Sequence, residues 1–254
     1  MCLRKSEYPT ENPIRMRQIR NAMAFLPMFL LMANTSSPLF GNTITVKQVF
    51  SSIPAITSVA ANYAAWNLSA AGISEASFTA AVKGYNYLMG KKLLNNTGVL
   101  TLVDYSKPSS QKRLFVLDMN DGKILFNTLV AHGRNSGLEY ANNFSNAGES
   151  HKSSLGFFIT MNTYFGDNGY SLRLQGCEKG INDKALKRAI VLHGAEYADE
   201  SFLRTNGYLG RSYGCPAVPE KMSRQIIDVI KDGSCLFLYH PTKKYCKASK
   251  ILNS

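Results

Sequence analysis

The sequence predicts a mainly β fold carrying a helical N-terminal segment and one C-terminal helix. Three observations support this. From Leu100 onward apolar residues recur with a period of two, an Asp-Gly turn joins two such runs, and residues 42–98 are Ala-rich with helical spacing. At 254 residues, 45% hydrophobic and 18% charged, the chain can bury a large core and lacks the composition of a disordered one.

Taken in order, residues 1–33 read as export signalling. Arg15, Arg17 and Arg20 precede an apolar run from Ala22 to Ala33, with small residues from Ala33 to Ser37 where a peptidase could cut. The run falls short of the ~20 residues a membrane-spanning helix needs, so a signal peptide is favoured over an N-terminal tether. Either way, contact with a membrane is expected only through this segment, and the remainder would sit in the periplasm or cell envelope. Residues 34–98 form the helical segment, with Phe78, Ala81, Val82, Tyr85, Leu88 and Met89 on one face. No cluster of titratable groups lies there, so it reads as a packing element without chemistry.

Residues 99–254 form the third unit. Strands are expected at Leu100–Tyr105, Arg113–Asp118, Lys123–Phe126, Leu155–Met161, Tyr170–Leu174, Ala189–His193 and Ser234–Tyr239. Asp121-Gly122 is a hairpin turn between the second and third. A helix is expected from Pro219 to Lys231, because Pro suits a first helical position, Met222, Ile226, Ile227 and Ile230 share a face, and Gly233 follows.

Formal net charge is +12, and about +9 without the first 33 residues, which hold five basic and two acidic side chains. That balance suits an anionic surface, but no motif of basic and aromatic residues points to nucleic acid. The cysteines are Cys2, Cys177, Cys215, Cys235 and Cys246, and their spacings match no zinc pattern, so no metal or other cofactor is expected. One disulfide among Cys177, Cys235 and Cys246 is compatible with an exported chain. Cys235, within an apolar run, reads equally as a buried strand residue.

Chemistry concentrates in Gly210-Arg211-Ser212-Tyr213-Gly214-Cys215-Pro216 and in Ile190-Val191-Leu192-His193-Gly194. Cys215 lies 22 positions after His193. A thiol nucleophile needs an imidazole to take its proton, and this pair supplies both groups. Pro216 has no N–H, which leaves the amides of Tyr213, Gly214 and Cys215 to face a developing oxyanion. Arg211 is a nearby cation for the thiolate or a substrate carboxylate, and the helix after Pro219 would aim its positive end at the sulfur. His132, in a Gly- and Asn-rich loop, is a rival base and is read as a cleft residue. His151 and His240 read as surface or strand-end residues. A papain-like arrangement fits poorly, because there the cysteine precedes its histidine.

These residues resemble the murein L,D-transpeptidase catalytic-domain family. Its signature is a His-Gly at a strand end followed by Ser-His-Gly-Cys, and here His193-Gly194 and Ser212-Tyr213-Gly214-Cys215 occupy those places. Ser153-Ser154-Leu155-Gly156-Phe157-Phe158 resembles an upstream family strand, and His132-Gly133-Arg134-Asn135-Ser136-Gly137 a second motif. Tyr213 stands where most members carry another histidine, and Pro216-Ala217 where polar residues are usual. The resemblance implies an L,D-transpeptidase-like β-sandwich without cofactor. Cys215 would be the nucleophile, His193 the base and Gly194 the carbonyl orienting it. Arg211, Ser212, His132, Asn135, Ser136, Ser154 and Gly156 would line the substrate cleft. Peptidoglycan stem peptides would be donor and acceptor through a thioester. An L,D-carboxypeptidase using the same site, and a non-catalytic wall-binding protein of the same fold, are the alternatives.

Overall fold

A computed structural model describes residues 59–254. The expected export segment, Cys2 and the first part of the expected helical segment lie outside the described residues. Two helices come first, α1 (Val59–Ala65) and α2 (Glu75–Gly90). Ser74 caps α2, its hydroxyl accepting from the amide of Ser77 at 3.1 Å. Phe78, Ala81, Val82, Tyr85 and Leu88 are buried as their spacing requires, whereas Met89 is 39% exposed and departs from that face. The helix lies close against the sheet. A Cβ at Gly84 would come within 2.0 Å of the Phe157 ring, so this position has room only for glycine.

Eight strands follow: β1 (Val99–Asp104), β2 (Leu114–Asp118), β3 (Lys123–Thr128), β4 (Gly156–Gly166), β5 (Gly169–Gly176), β6 (Val191–Ala195), β7 (Ala217–Pro219) and β8 (Cys235–Tyr239). They form one large mixed sheet in the order β3-β2-β1-β8-β4-β5-β6-β7. The mainly β architecture and the expected strands are present. The Asp-Gly hairpin is present too, with Gly122 at φ +70° and the Asp118 carboxylate accepting from the amides of Asn120 and Asp121. At the sheet's centre β1 pairs parallel with β8, and β8 antiparallel with β4. There Phe157 and Phe237 stack at 3.9 Å, and Cys235 is buried on its strand. Among the described residues all four cysteines are free thiols.

The helix expected after Pro219 is α4 (Glu220–Ile230), with Ile226, Ile227 and Ile230 buried. It packs against β6, β7, β5 and β1. Four elements lack a periodic signature and were not expected: the three-residue β7, a 3-10 turn at Glu196–Ala198, α3 (Glu200–Asn206) and α5 (Lys243–Ala248). The β7 strand matters most, because it pairs parallel with β6 and sets His193 opposite Ala217. That pairing brings two segments distant in sequence to one edge of the sheet.

Candidate active site

The turn from Ser212 to Pro216 is held from both sides. On one side runs 131–134: Ser212 donates its amide to His132 O at 3.0 Å, Arg134 its amide to Ser212 O at 2.7 Å, and Ala131 its amide to Ala217 O at 2.7 Å. On the other side runs 188–193. The Ser212 hydroxyl closes the turn, donating to Cys215 O at 2.6 Å and accepting from the Gly214 amide at 3.0 Å. Gly214 adopts φ +126°, and a Cβ there would meet Lys152 O at 2.9 Å, Ile190 Cδ1 at 3.2 Å and Arg188 Nη2 at 3.3 Å. Only glycine fits such a backbone in such a space.

Cys215 is half-buried at the end of this turn. Its Sγ–H donates to Ala189 O at 3.7 Å, and Sγ accepts from the Val191 amide at 3.5 Å. His193 lies two residues beyond Val191 on the same face of β6, since alternate strand residues share a face. Its Nδ1–H donates to Gly194 O at 2.8 Å, which fixes the tautomer and leaves Nε2 as the basic nitrogen. Gly194 backs onto α4, where a Cβ would meet the Ser223 hydroxyl at 2.7 Å. The sulfur makes no direct hydrogen bond to the imidazole in this arrangement.

Burial raises the Cys215 thiol above its ordinary value, against the opposing pull of the Val191 amide and Arg188. Burial likewise lowers His193, against the Gly194 carbonyl. Both shifts favour a neutral thiol beside a neutral imidazole over a preformed ion pair.

Several sequence expectations are corrected here. The Gly214 amide is engaged by Ser212, so among the described residues Tyr213 and Cys215 hold the turn's free amides. His132 is fully buried: its Nδ1 accepts from Arg113 Nη2 at 2.8 Å and its Nε2 faces Gly137 O at 3.4 Å. Burial and Arg113 lower it to about 3, so it resists protonation, and its buried ring forms no exposed wall. Ser136 and Ser154 are also buried: Ser136 accepts from the Ser153 amide at 2.9 Å, and Ser154 from Arg188 at 2.6 Å. Gly156 is sealed by Glu178, whose carboxylate a Cβ would meet at 2.2 Å. Ser212 is buried in the turn it closes. Arg211 is exposed but binds Arg134 O and Gly137 O, away from the sulfur. Asn135 is exposed and ties its loop to Ser150 O at 3.0 Å. The α4 N-terminus does not serve the thiol directly, because β7 intervenes and the first helical amide donates to the Asp199 carboxylate at 3.2 Å.

Tyr213 and His151 meet at the surface with ring centroids 4.7 Å apart, and the Arg134 guanidinium sits 5.6 Å from the Tyr213 ring. Sequence reasoning left His151 aside, and it missed Arg188 entirely. Arg188 sits among lysines at Lys184 and Lys187, a pattern that reads as a solvated basic stretch.

The model of the L,D-transpeptidase catalytic domain family matches residues 69–239, from just before α2 to the end of β8. The chain belongs to that family. No curated protein matches it. Among solved structures it is similar to an L,D-transpeptidase from Mycobacterium smegmatis, at 14% identity and a TM-score of 0.35, with 56% of this chain and 59% of that one covered. It is also similar to L,D-transpeptidase 3 from Mycobacterium tuberculosis, at 12% identity and a TM-score of 0.36, covering 56% and 61%. A third is the L,D-transpeptidase (residues 123–326) from Xylanimonas cellulosilytica, at 15% identity and a TM-score of 0.32, covering 56% and 60%. The chain thus spans about three fifths of the solved relatives it matches.

Proposed function

We propose that this protein is a cysteine acyl transferase acting on peptidoglycan stem peptides in the cell envelope. The observation that carries this reading is the placement of Cys215 Sγ on the Val191 amide, two residues from an imidazole whose Nδ1–H is committed to Gly194 O. Family membership supports the substrate class.

In the proposed reaction His193 Nε2 takes the Cys215 proton and the sulfur attacks the carbonyl between the L-centre and the terminal D-residue of a tetrapeptide stem. The free amides of Tyr213 and Cys215 are the donors available to the resulting oxyanion. Collapse breaks the C–N bond, and the departing amine takes the proton back from His193, leaving a thioester on Cys215. A second stem's amine attacks the thioester and gives its proton to His193, and the thiol is restored as the new amide forms. Water in place of that amine gives hydrolysis.

Incubation with a disaccharide-tetrapeptide, with products read by mass, tests the proposal. Cross-linked dimers are expected from transfer and tripeptide from hydrolysis, and both should vanish in Cys215→Ser without loss of fold. Turnover that persists in that variant removes Cys215 from the mechanism, and no product from the unaltered protein favours a wall-binding role.

A further inference from the structure

We infer that Arg188 is a positioning residue for Cys215, a fixed cation clamped beside the nucleophile's turn that favours the thiolate. This rests on the nucleophile role proposed above. The guanidinium makes four hydrogen bonds, all to neutral acceptors: Nη1 to Ser145 O at 2.8 Å and the Ser154 hydroxyl at 2.6 Å, Nη2 to Lys152 O at 2.7 Å and the Ser150 hydroxyl at 3.3 Å. Among the described residues the ion pairs are Lys123–Asp121 and Lys231–Asp228, so Arg188 is a half-buried cation without a carboxylate. A charge held that way is costly unless an anion forms nearby.

The segment that carries it also supplies the other contacts of the sulfur. Ile190 Cδ1 and Arg188 Nη2 both border Gly214, where a Cβ would meet them at 3.2 and 3.3 Å, while Ala189 O and the Val191 amide bond to Sγ. Ala189 is a non-glycine residue at φ +52°, an uncommon conformation that places its carbonyl on the thiol. The segment therefore meets both states of the sulfur. The thiol donates to Ala189 O, whereas the thiolate keeps the Val191 N–H and gains attraction to Arg188. All four Nη hydrogens are committed to the protein, which argues for a countercharge and against a hook for substrate carboxylate.

Among the other titratable groups near Cys215, two tyrosines and His193 supply no cation. Tyr105, just past β1, is pushed up to about 12 by burial, and Tyr197, in the turn after β6, is also raised, so both stay neutral near pH 7. His193 on β6 is lowered and neutral there too. Arg211 is turned toward the 134–137 loop.

The test is the pH profile of iodoacetamide labelling, read by mass on the Cys215 peptide of the full chain. Arg188→Gln should raise the midpoint by about one pH unit, which slows labelling near pH 7 about tenfold. Arg188→Lys should hold the midpoint close to that of the unaltered protein. An unmoved midpoint in Arg188→Gln, or equal shifts in both variants, overturns the inference. If loss of the clamp unfolds these variants, the unaltered protein still decides. A fixed cation should raise the rate with anionic iodoacetate relative to neutral iodoacetamide at Cys215 above the ratio for glutathione, and an equal or lower ratio overturns the inference. Labelling uses no peptidoglycan, so failure here is distinct from failure to turn over stem peptides.

Discussion

At the scale of single residues, the two histidines of the site loops separate by their hydrogen bonds. Among the described residues His193 has one nitrogen committed to a carbonyl and the other without a protein partner, whereas His132 is bonded at both nitrogens and sealed. His193→Ala is therefore expected to lower turnover by about 10²–10⁴, the usual worth of a general base, with little change in thermal stability. His132→Ala should chiefly lower the melting temperature, since it opens a cavity beside buried Arg113. His193 must be neutral to accept a proton, and burial holds it below 6.5, so activity should fall only as pH drops through a midpoint below that value. Steady-state rates against pH and thermal melts of both variants check these outcomes. That His193 and Cys215 are candidates for a site was legible in the sequence, because thiol and imidazole are rare and chemically specific. The environment that distinguishes His132 from His193 was not, since it depends on Arg113 folding back under the 131–134 segment.

At the scale of elements, the strands and helices with strong periodicity were readable, and the short ones were not. α4 announces itself through four apolar residues on one face, whereas β7 is Ala-Val-Pro and takes its conformation from pairing with β6. The free amides of the 212–215 turn are hidden for a similar reason: the Ser212 hydroxyl claims that of Gly214, one of three candidates. The attachment of α5 is equally hidden in the sequence. Glu178, next to β5, is 4% exposed and accepts from the Phe157 amide at 2.9 Å, the Tyr245 hydroxyl at 3.2 Å and the Ser249 hydroxyl. Glu178→Ala would strand three buried donors at about 1–3 kcal/mol each, so a loss of several kcal/mol is expected by denaturant titration. Burial raises the Glu178 carboxyl above its ordinary value, hence the folded state holds its proton longer than the unfolded one. That contribution is present below the unfolded value of about 4.3 and is lost as pH rises through the folded one, a dependence that Glu178→Gln should remove.

At the scale of the molecule, one mixed sheet brings together segments that start near residues 131, 153, 188 and 212, and the site exists only where they meet. α2 packs into the same body, with Gly84 against Phe157, and the family match begins before it. α2 is thus part of what supports the sheet. The most direct measurement of the account is the mass of the peptide containing Cys215 after brief exposure to a tetrapeptide stem. A stem acyl group in thioester linkage at that sulfur, absent from Cys215→Ser, is the predicted result. Turnover of the stem with the acyl group found on another residue, or on none, would contradict it.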